Sequence, residues 1–294
     1  MADVEGMVEA RDVSASQSVG TAGFHLKGSA HLDWGMKNRL SRIMKPDTGR
    51  TVMLAVDHGY FQGPTSGLEV MEQTLAPLLD QADCLMLTRG ILRTSVPPGA
   101  QVPIVLRCSG GNSVVGDDDL SNETNTVSVE DGLRLNVSGM AFSLYIGGPH
   151  QHQTIVGFSE LVDDALSLGM PVLAVTAVGR DMARDARYLS LASRMAAEMG
   201  ANIVKTYYCE DFERVTTTCP VPVVMAGGKK LPELEALQMA YNAVSEGAVG
   251  VDMGRNIFQS DCPVGMIKAV KAVVHKLEKP EAALKIYEEE KNAS

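Results

Sequence analysis

The sequence predicts a single (β/α)8 barrel of the TIM type, in the α/β class. Eight short apolar runs alternate with segments of helical periodicity, and this alternation is typical of a parallel sheet. Eight such units favour a closed barrel over an open sheet. Glycine or proline marks the entry to several of the runs, at Gly169, Pro171, Gly200, Pro222 and Gly250. A doubly wound open sheet is the alternative, but the first run, which ends at Asp57, has no G-x-G-x-x-G fingerprint after it.

Each predicted strand is an apolar run in which β-branched and aliphatic residues dominate, as in buried parallel strands. In chain order the runs are Thr51–Asp57, Cys84–Thr88, Pro103–Arg107, Met140–Ile146, Pro171–Ala177, Ile203–Tyr208, Pro222–Ala226 and Gly250–Met253. Helical periodicity occupies 68–79, 130–136, 153–168, 187–199, 232–246 and 263–277. Before the first strand, Asp33 caps a helix over 33–44 whose expected apolar contacts are Trp34, Leu40 and Ile43.

Composition limits the classes of partner and of compartment. The formal net charge of −10 over 294 residues disfavours nucleic acid and anionic membranes as partners. Five cysteines without a C-x-x-C pair, no signal peptide and no membrane-length apolar run predict a cytoplasmic protein. We expect residues 1–30 to form a flexible arm, 31–278 the barrel and 279–294 a helical tail. Within the barrel, 111–129 is expected to be a long loop.

Lys205 is the one charged residue in the sixth predicted strand. Residues 205 and 207 share one face of that strand. Both faces of a parallel strand are covered, so we expect the amine to lie outside bulk water. Burial lowers the pKa of a lysine, and a partly neutral amine is a nucleophile for carbonyl carbons. The alternative is an edge strand that leaves Lys205 in solvent.

The ends of the strands carry the other candidate site residues, because barrel active sites lie at the C-terminal face. Strand one ends at Asp57, a candidate acid/base or lysine partner, and His58 beside it is either a site residue or a packing residue. Strands seven and eight end in Gly227-Gly228 and Gly254-Arg255. Glycines let backbone N–H groups approach an anion and arginine adds a charged contact, so these two loops predict a phosphate site.

Other residues have weaker claims to a site. His150 and His152 form an H-x-H pair without a nearby third ligand, so no metal is expected. Cys209 follows the lysine strand and is a less favoured nucleophile. Arg89 and Arg107 either pair with acids in the barrel or contact a ligand, and the sequence does not decide between these roles.

Four motifs carry a resemblance to a known family. They are Asp57-His58-Gly59, Ile203-Val204-Lys205-Thr206, Ala226-Gly227-Gly228 and Asp252-Met253-Gly254-Arg255-Asn256-Ile257-Phe258. Together they resemble the archaeal-type class I fructose-bisphosphate and deoxyribose-phosphate aldolase-like family of Schiff-base lysine barrels. The resemblance implies that Lys205 is the Schiff-base lysine and Asp57 the acid of strand one. It also implies that the phosphate is held by Gly227, Gly228, Gly254 and Arg255.

Further stretches resemble a thiol-dependent branch of that family: Leu32–Met36, Asp57–Pro64, Thr88–Arg93 and Lys205–Tyr208. The branch implies that a small phosphorylated dione from autoinducer-2 processing is cleaved with coenzyme A as co-substrate, giving acetyl-CoA and dihydroxyacetone phosphate. It implies no bound cofactor and a homodecamer of two pentameric rings. The aldolases tend to carry a tyrosine near the end of strand five, where this chain has Thr176-Ala177. That departure is compatible with a thiol acceptor and makes Thr176 a further candidate.

In the expected mechanism, an iminium on Lys205 accepts the electrons of the broken carbon–carbon bond, and Asp57 shuttles protons. Three alternatives remain open at this point. One is a class I lysine aldolase acting on a phosphorylated sugar or hydroxyketone. The second is a non-catalytic barrel that binds phosphosugars, and the third is a metal-dependent aldolase.

Overall fold

The computed structural model of the protein describes residues 24–115, 120–178 and 184–293. Most of the expected N-terminal arm lies outside the described residues, as do Asp117, Asp118, Asp119 and Arg180. The strands are β1 Thr51–Ala55, β2 Cys84–Thr88, β3 Ile104–Arg107, β4 Ser109–Gly110, β5 Thr124–Asn125, β6 Gly139–Ile146, β7 Val172–Val178, β8 Ile203–Tyr207, β9 Val223–Ala226 and β10 Gly250–Met253.

The helices alternate with these strands along the chain. They are α1 Trp34–Ile43, α2 Gly59–Gln62, α3 Met71–Leu75, α4 Arg89–Ser95, α5 Val129–Arg134, α6 Gln151–Ser167, α7 Ala186–Glu198, α8 Phe212–Thr218, α9 Glu233–Ser245, α10 Arg255–Phe258, α11 Pro263–Lys276 and α12 Pro280–Ala293. Among the described helices, none has both the length and the apolar character that a bilayer span requires.

Eight parallel strands close into a barrel in the order β1-β2-β3-β6-β7-β8-β9-β10. Every strand predicted from an apolar run is present, so the predicted (β/α)8 barrel is confirmed. The short strands β4 and β5 form a separate antiparallel pair after β3.

Side chains alternate between the barrel interior and the helical layer, as the two-residue period of a strand requires. On β8, Val204 packs outward into the large cluster shared with the helices, whereas Ile203 packs inward. The inward cluster also contains Met53, Met86 and Val105. Lys205 follows the inward parity of Ile203, as predicted, and β8 lies between β7 and β9 rather than at an edge.

Helix α1 closes the N-terminal end of the barrel. Its buried residues Met36, Leu40 and Ile43 belong to the inward cluster. Asp33 caps the helix as predicted, since its carboxylate accepts a hydrogen bond of 2.7 Å from the Met36 N–H. The expected contact of Trp34 is wrong: this side chain is 79% exposed, because it occupies the first helical position while the buried stripe begins at Met36.

Three other local expectations differ from the structure. The helix expected over 68–79 is α-helical only over Met71–Leu75, and Pro77 lacks the N–H that a longer helix needs. The loop expected over 111–129 includes β5, and its last residue, Val129, is the first residue of α5. The last residues of the expected arm pack against the barrel, since Phe24 and Leu26 contact the inward cluster and the Lys27 ammonium donates to the Thr216 carbonyl at 2.9 Å.

Candidate active site

The C-terminal ends of the barrel strands surround a cavity of about 160 Å³. The predicted site residues come together there, because all of them line this one cavity: Asp57, His58, Thr176, Lys205, Gly227, Gly228, Gly254 and Arg255. Short helices begin within a few residues of the ends of several strands, among them α2, α4 and α10. The cavity therefore lies where a TIM barrel carries its active site.

Lys205 lies on the floor of the cavity and forms a buried ion pair. Its ammonium nitrogen is 2.8 Å from Oδ2 of Asp252 and 3.7 Å from the sulfur of Met86. Asp252 comes from β10 and is 1% exposed, and its Oδ1 has no hydrogen-bond partner among the described residues. Burial, together with the nearby charge of Asp57, raises the pKa of Asp252, although Lys205 opposes this shift.

A second buried ion pair joins Asp57 to Arg107. The Nε and Nη2 atoms of Arg107 each lie 2.8 Å from Oδ2 of Asp57. Burial opposes ionisation, but the charges of Arg107 and Lys205 prevail and hold the pKa of Asp57 at about 2. Asp57 is therefore a permanent anion near neutral pH. The guanidinium also lies over the ring of Tyr60, 5.1 Å from its centroid.

Glu123 organises the wall next to Arg107. Its carboxylate accepts hydrogen bonds from Tyr60 at 2.6 Å, from Ser109 at 2.6 Å and from Tyr145 at 3.2 Å. Tyr60 follows β1, Ser109 lies on β4 and Tyr145 on β6, so one carboxylate ties three segments together. Burial and the Glu123 charge raise the pKa of Tyr145, which keeps its proton.

The loops after β9 and β10 form the opposite end of the cavity. A Cβ atom at Gly254 would lie 2.3 Å from the Ala55 carbonyl oxygen, so only glycine fits there. Gly228 has a positive φ of 65°. Asn256 holds the first loop, because its amide nitrogen donates to the Gly227 carbonyl at 2.6 Å. The Nε atom of Arg255 is buried and has no hydrogen-bond partner within the described residues, which is unusual for a buried N–H group.

His58 also lines the cavity. Burial lowers its pKa, the charges of Lys205 and Arg255 add to that effect, and Asp57 opposes it. Its ring is therefore neutral near pH 7, and its Nδ1 atom is buried without a partner in the part of the chain that is described. Thr176 also lines the cavity, but its hydroxyl donates to the hydroxyl of Thr206 at 2.8 Å, away from the ligand space.

Several weaker candidates lie elsewhere. No three His, Cys, Asp or Glu side chains in the described ranges are close enough to hold a metal ion, which includes the region of His150 and His152. Burial raises the pKa of Cys209 to about 11, so its thiol stays protonated. Arg89 pairs with Asp131 at 3.2 Å on the surface.

Comparison with known proteins places the chain in a family. Residues 51–260, most of the chain, match the sequence model of the DeoC/LacD family aldolases. The chain belongs to the DeoC/LacD aldolase family. It is 57% identical, over 99% of this chain and all of the relative, to an uncharacterized aldolase of Pasteurella multocida (strain Pm70). It is 56% identical, with the same coverage, to the 3-hydroxy-5-phosphonooxypentane-2,4-dione thiolases of Yersinia enterocolitica and Escherichia coli (strain K12).

Solved structures of other aldolases share the barrel. An archaeal fructose 1,6-bisphosphate aldolase superposes with a TM-score of 0.74 at 24% identity, covering 82% of this chain and 99% of that one. A fructose-bisphosphate aldolase from Slackia heliotrinireducens gives 0.77 at 19% identity, covering 87% and 90%. The DeoC/LacD assignment and the fold agree, and the chain is an enzyme of this family.

Within this DeoC/LacD barrel, some cavity residues were not predicted as site residues: Tyr60, Ser143, Tyr145 and Asp252. Asp252 and Ser143 carried a usable signal, since each is a polar residue at an inward position of an apolar strand, as Lys205 is. The tyrosines carried no such signal, because aromatic residues are common in strands and at strand ends.

Proposed function

We propose that this enzyme cleaves 3-hydroxy-5-phosphonooxypentane-2,4-dione with coenzyme A, giving acetyl-CoA and dihydroxyacetone phosphate through a Schiff base on Lys205. Full-length relatives that are 56% identical carry the name of this thiolase. The observation that carries the proposal is the buried Lys205 amine, paired at 2.8 Å with a carboxylate, in a cavity with a phosphate-type loop pair at one end.

The phosphate group orients the substrate in this cavity. Gly227, Gly228 and Gly254 present backbone close to the ligand space, and Arg255 supplies an unpaired buried N–H. The dione carries a ketone on the carbon next to the phosphate-bearing carbon. With the phosphate held by these loops, that ketone reaches Lys205, and binding energy from the phosphate aligns it for attack.

Imine formation requires that the ammonium of Lys205 lose a proton. Asp252 accepts it, because this carboxylate touches the amine and its raised pKa favours the protonated form. The sequence alone suggested Asp57 for this proton transfer. Arg107 holds Asp57 as a permanent anion, so we assign Asp57 the task of fixing Arg107 and balancing the charge of the iminium.

The thiolate of coenzyme A then attacks the acetyl carbonyl carbon. A sulfur–carbon bond forms, and the bond between the acetyl carbon and the hydroxyl-bearing carbon breaks. The bonding electrons flow into the iminium and leave an enamine of dihydroxyacetone phosphate on Lys205. A proton equivalent to the one released by the thiol reaches the carbanion carbon, and hydrolysis frees the lysine and the product.

A class I aldolase acting on a phosphorylated sugar or hydroxyketone is the second candidate. It is favoured by the fold shared with fructose-bisphosphate aldolases, and it would use Lys205 and the phosphate end in the same way. Dependence on coenzyme A separates the two, because only the thiolase forms acetyl-CoA.

The test combines product formation with trapping of the imine. Purified enzyme is incubated with the phosphorylated dione and coenzyme A, and thioester absorbance is followed. Borohydride with dihydroxyacetone phosphate reduces the imine to a stable adduct, which peptide mass spectrometry locates. We expect acetyl-CoA, and an adduct on Lys205. We expect Lys205→Ala to lose both, with activity reduced on the order of 10⁴–10⁶-fold.

Lys268→Ala is the matched control, since Lys268 lies on the outer helix α11 and pairs with Glu290 of α12. It should behave like the wild type. Acetyl-CoA formation by Lys205→Ala, or an adduct on another lysine, would contradict the covalent role. No acetyl-CoA from the wild type would favour the aldolase reading. The proposal also includes a cytoplasmic location and no bound cofactor. It further includes the homodecamer that the resemblance implies, and light scattering of the purified protein tests this oligomeric state.

A further inference from the structure

The wall opposite the phosphate end is the part of the cavity that the acetyl group of the substrate meets. The phosphate loops follow β9 and β10, and Lys205 is on the neighbouring strand β8. In the closed strand order, β3 and β6 are adjacent to each other and lie across the barrel from β10 and β9. A substrate anchored by its phosphate and bound to Lys205 therefore extends its far carbonyl toward β3 and β6.

Arg107 and Ser143 face this position. The Nη1 atom of Arg107 donates a 2.6 Å hydrogen bond to the Ser143 hydroxyl oxygen, while its Nε and Nη2 atoms are held by Asp57. Both residues line the cavity, and both are buried. Ser143 thus accepts a charge-assisted hydrogen bond, which polarises its O–H group and makes it a stronger donor.

The proton of the Ser143 hydroxyl has no acceptor among the residues that the structure describes. A neighbouring serine shows the contrast. Ser109 also contacts Nη1 of Arg107, at 3.4 Å, but its hydroxyl donates to Glu123 at 2.6 Å. Its oxygen accepts the Ser143 backbone N–H at 3.0 Å. The hydroxyl proton of Ser109 is therefore donated to Glu123, whereas the hydroxyl proton of Ser143 can be donated to a ligand.

We propose that the Ser143 hydroxyl, polarised by Arg107, donates a hydrogen bond to the acetyl oxygen of the substrate and stabilises the oxyanion that forms during thiolysis. When the sulfur–carbon bond forms, the carbonyl π electrons move onto this oxygen. When the carbon–carbon bond breaks, the carbonyl re-forms and the electrons of the broken bond pass into the iminium on Lys205. A preorganised donor at such an oxygen binds more strongly as negative charge develops there, so it stabilises the transition state and intermediate more than the substrate. The inference rests on the proposed thiolase function.

Two readouts separate the oxyanion from the imine. Dihydroxyacetone phosphate has no acetyl oxygen, so borohydride trapping on Lys205 reports imine formation without the proposed contact. We expect Ser143→Ala to lower kcat for acetyl-CoA formation by about 100-fold or more while the rate of trapping with dihydroxyacetone phosphate stays within about twofold of wild type. Ser143→Thr, which keeps the hydroxyl, should restore most of kcat.

Two further variants guard against a structural explanation. Ser143→Cys keeps the shape of the side chain but replaces O–H by the weaker S–H donor, so its kcat should fall as for alanine. Ser193→Ala removes a buried hydroxyl without a described partner on α7, far from the cavity, and should have wild-type kcat.

The outcomes distinguish the two proposals. Wild-type enzyme that forms no acetyl-CoA overturns the thiolase function and this inference with it. If the wild type forms acetyl-CoA, near wild-type kcat in Ser143→Ala overturns the inference alone. Equal losses of acetyl transfer and of trapping in the alanine and cysteine variants also overturn it, because Ser143 would then support the fold of the site rather than the oxyanion.

Discussion

Asp57 and Asp252 occupy the same cavity at nearly the same depth, with 4% and 1% of their surfaces exposed, yet their pKa values move in opposite directions. Asp57 meets two N–H groups of a guanidinium and remains an anion. Asp252 contacts one ammonium group and lies near the negative charge of Asp57. Burial therefore outweighs the attraction of Lys205, and the pKa of Asp252 is raised. The number and type of donors, more than depth, decides whether a buried carboxylate is fixed or able to exchange a proton.

The partners differ in the same sense. Arginine does not release its proton in proteins, so Asp57 and Arg107 form a permanent pair. Lys205 contacts a carboxylate whose pKa is raised by burial, so Asp252 is suited to take up a proton, unlike Asp57. The Asp57–Arg107 pair therefore fixes one wall of the cavity, and under the proposed function the Lys205–Asp252 pair starts the reaction.

The largest expected effect that sharpens this comparison is on the rate of imine formation. Asp252→Asn removes the proton acceptor next to Lys205, so we expect the rate of borohydride-trappable adduct formation to fall by about 10²–10⁴-fold. Stopped samples analysed by mass spectrometry measure this rate. Circular dichroism verifies that the variant is folded. A rate equal to wild type would show that another group takes the lysine proton.

The second effect is on stability. Asp57→Asn leaves the Arg107 charge buried without its counter-ion, so we expect a loss of about 3–5 kcal/mol in the free energy of unfolding. Asp252→Asn should cost less, because burial already disfavours the ionised Asp252 carboxylate, as its raised pKa indicates. Urea denaturation compares the variants, and Glu198→Gln, which breaks an exposed pair with Arg194, should stay within about 1 kcal/mol. Equal losses in the free energy of unfolding for Asp57→Asn and Asp252→Asn would show that the two ion pairs do not differ in this way.

The smallest effect is on the pH dependence of stability. The pKa of Asp57 is about 2 in the folded protein against a reference of 3.8, so its contribution is fully present above about pH 4. It is lost as the pH falls toward 2, a change of about 2 kcal/mol. Asp252, with a raised pKa, contributes stability that is lost as the pH rises. Unfolding free energies of wild type and Asp57→Asn between pH 5 and pH 2 measure the first effect, and parallel curves would contradict it.

The barrel and part of the site were accessible from the sequence because they depend on local patterns. Eight apolar runs are enough to predict eight buried strands, and a charged residue inside one of them points to Lys205. The same rule applies to Asp252 within Gly250–Met253, but that run is so short that its acid reads as a strand-end residue. Pairing Lys205 with Asp252 also requires knowledge that β8 and β10 flank β9 in the closed barrel and that both side chains point inward.

The wall around Glu123 could not be predicted in this way. Glu123 lies in a stretch without periodicity, and its three partners come from segments far apart in the chain. The sequence also did not show which acid pairs with Arg107, since this depends on side-chain packing rather than on spacing. Short helices such as α2 and α10 span about one turn, too little for a periodic signal.

Helix α1 closes the far end of the barrel, with Met36, Leu40 and Ile43 beneath the cavity floor. Within the described residues, α1 thus blocks approach from the N-terminal end, so under the proposed function the phosphorylated dione and coenzyme A both enter from the C-terminal end of the barrel.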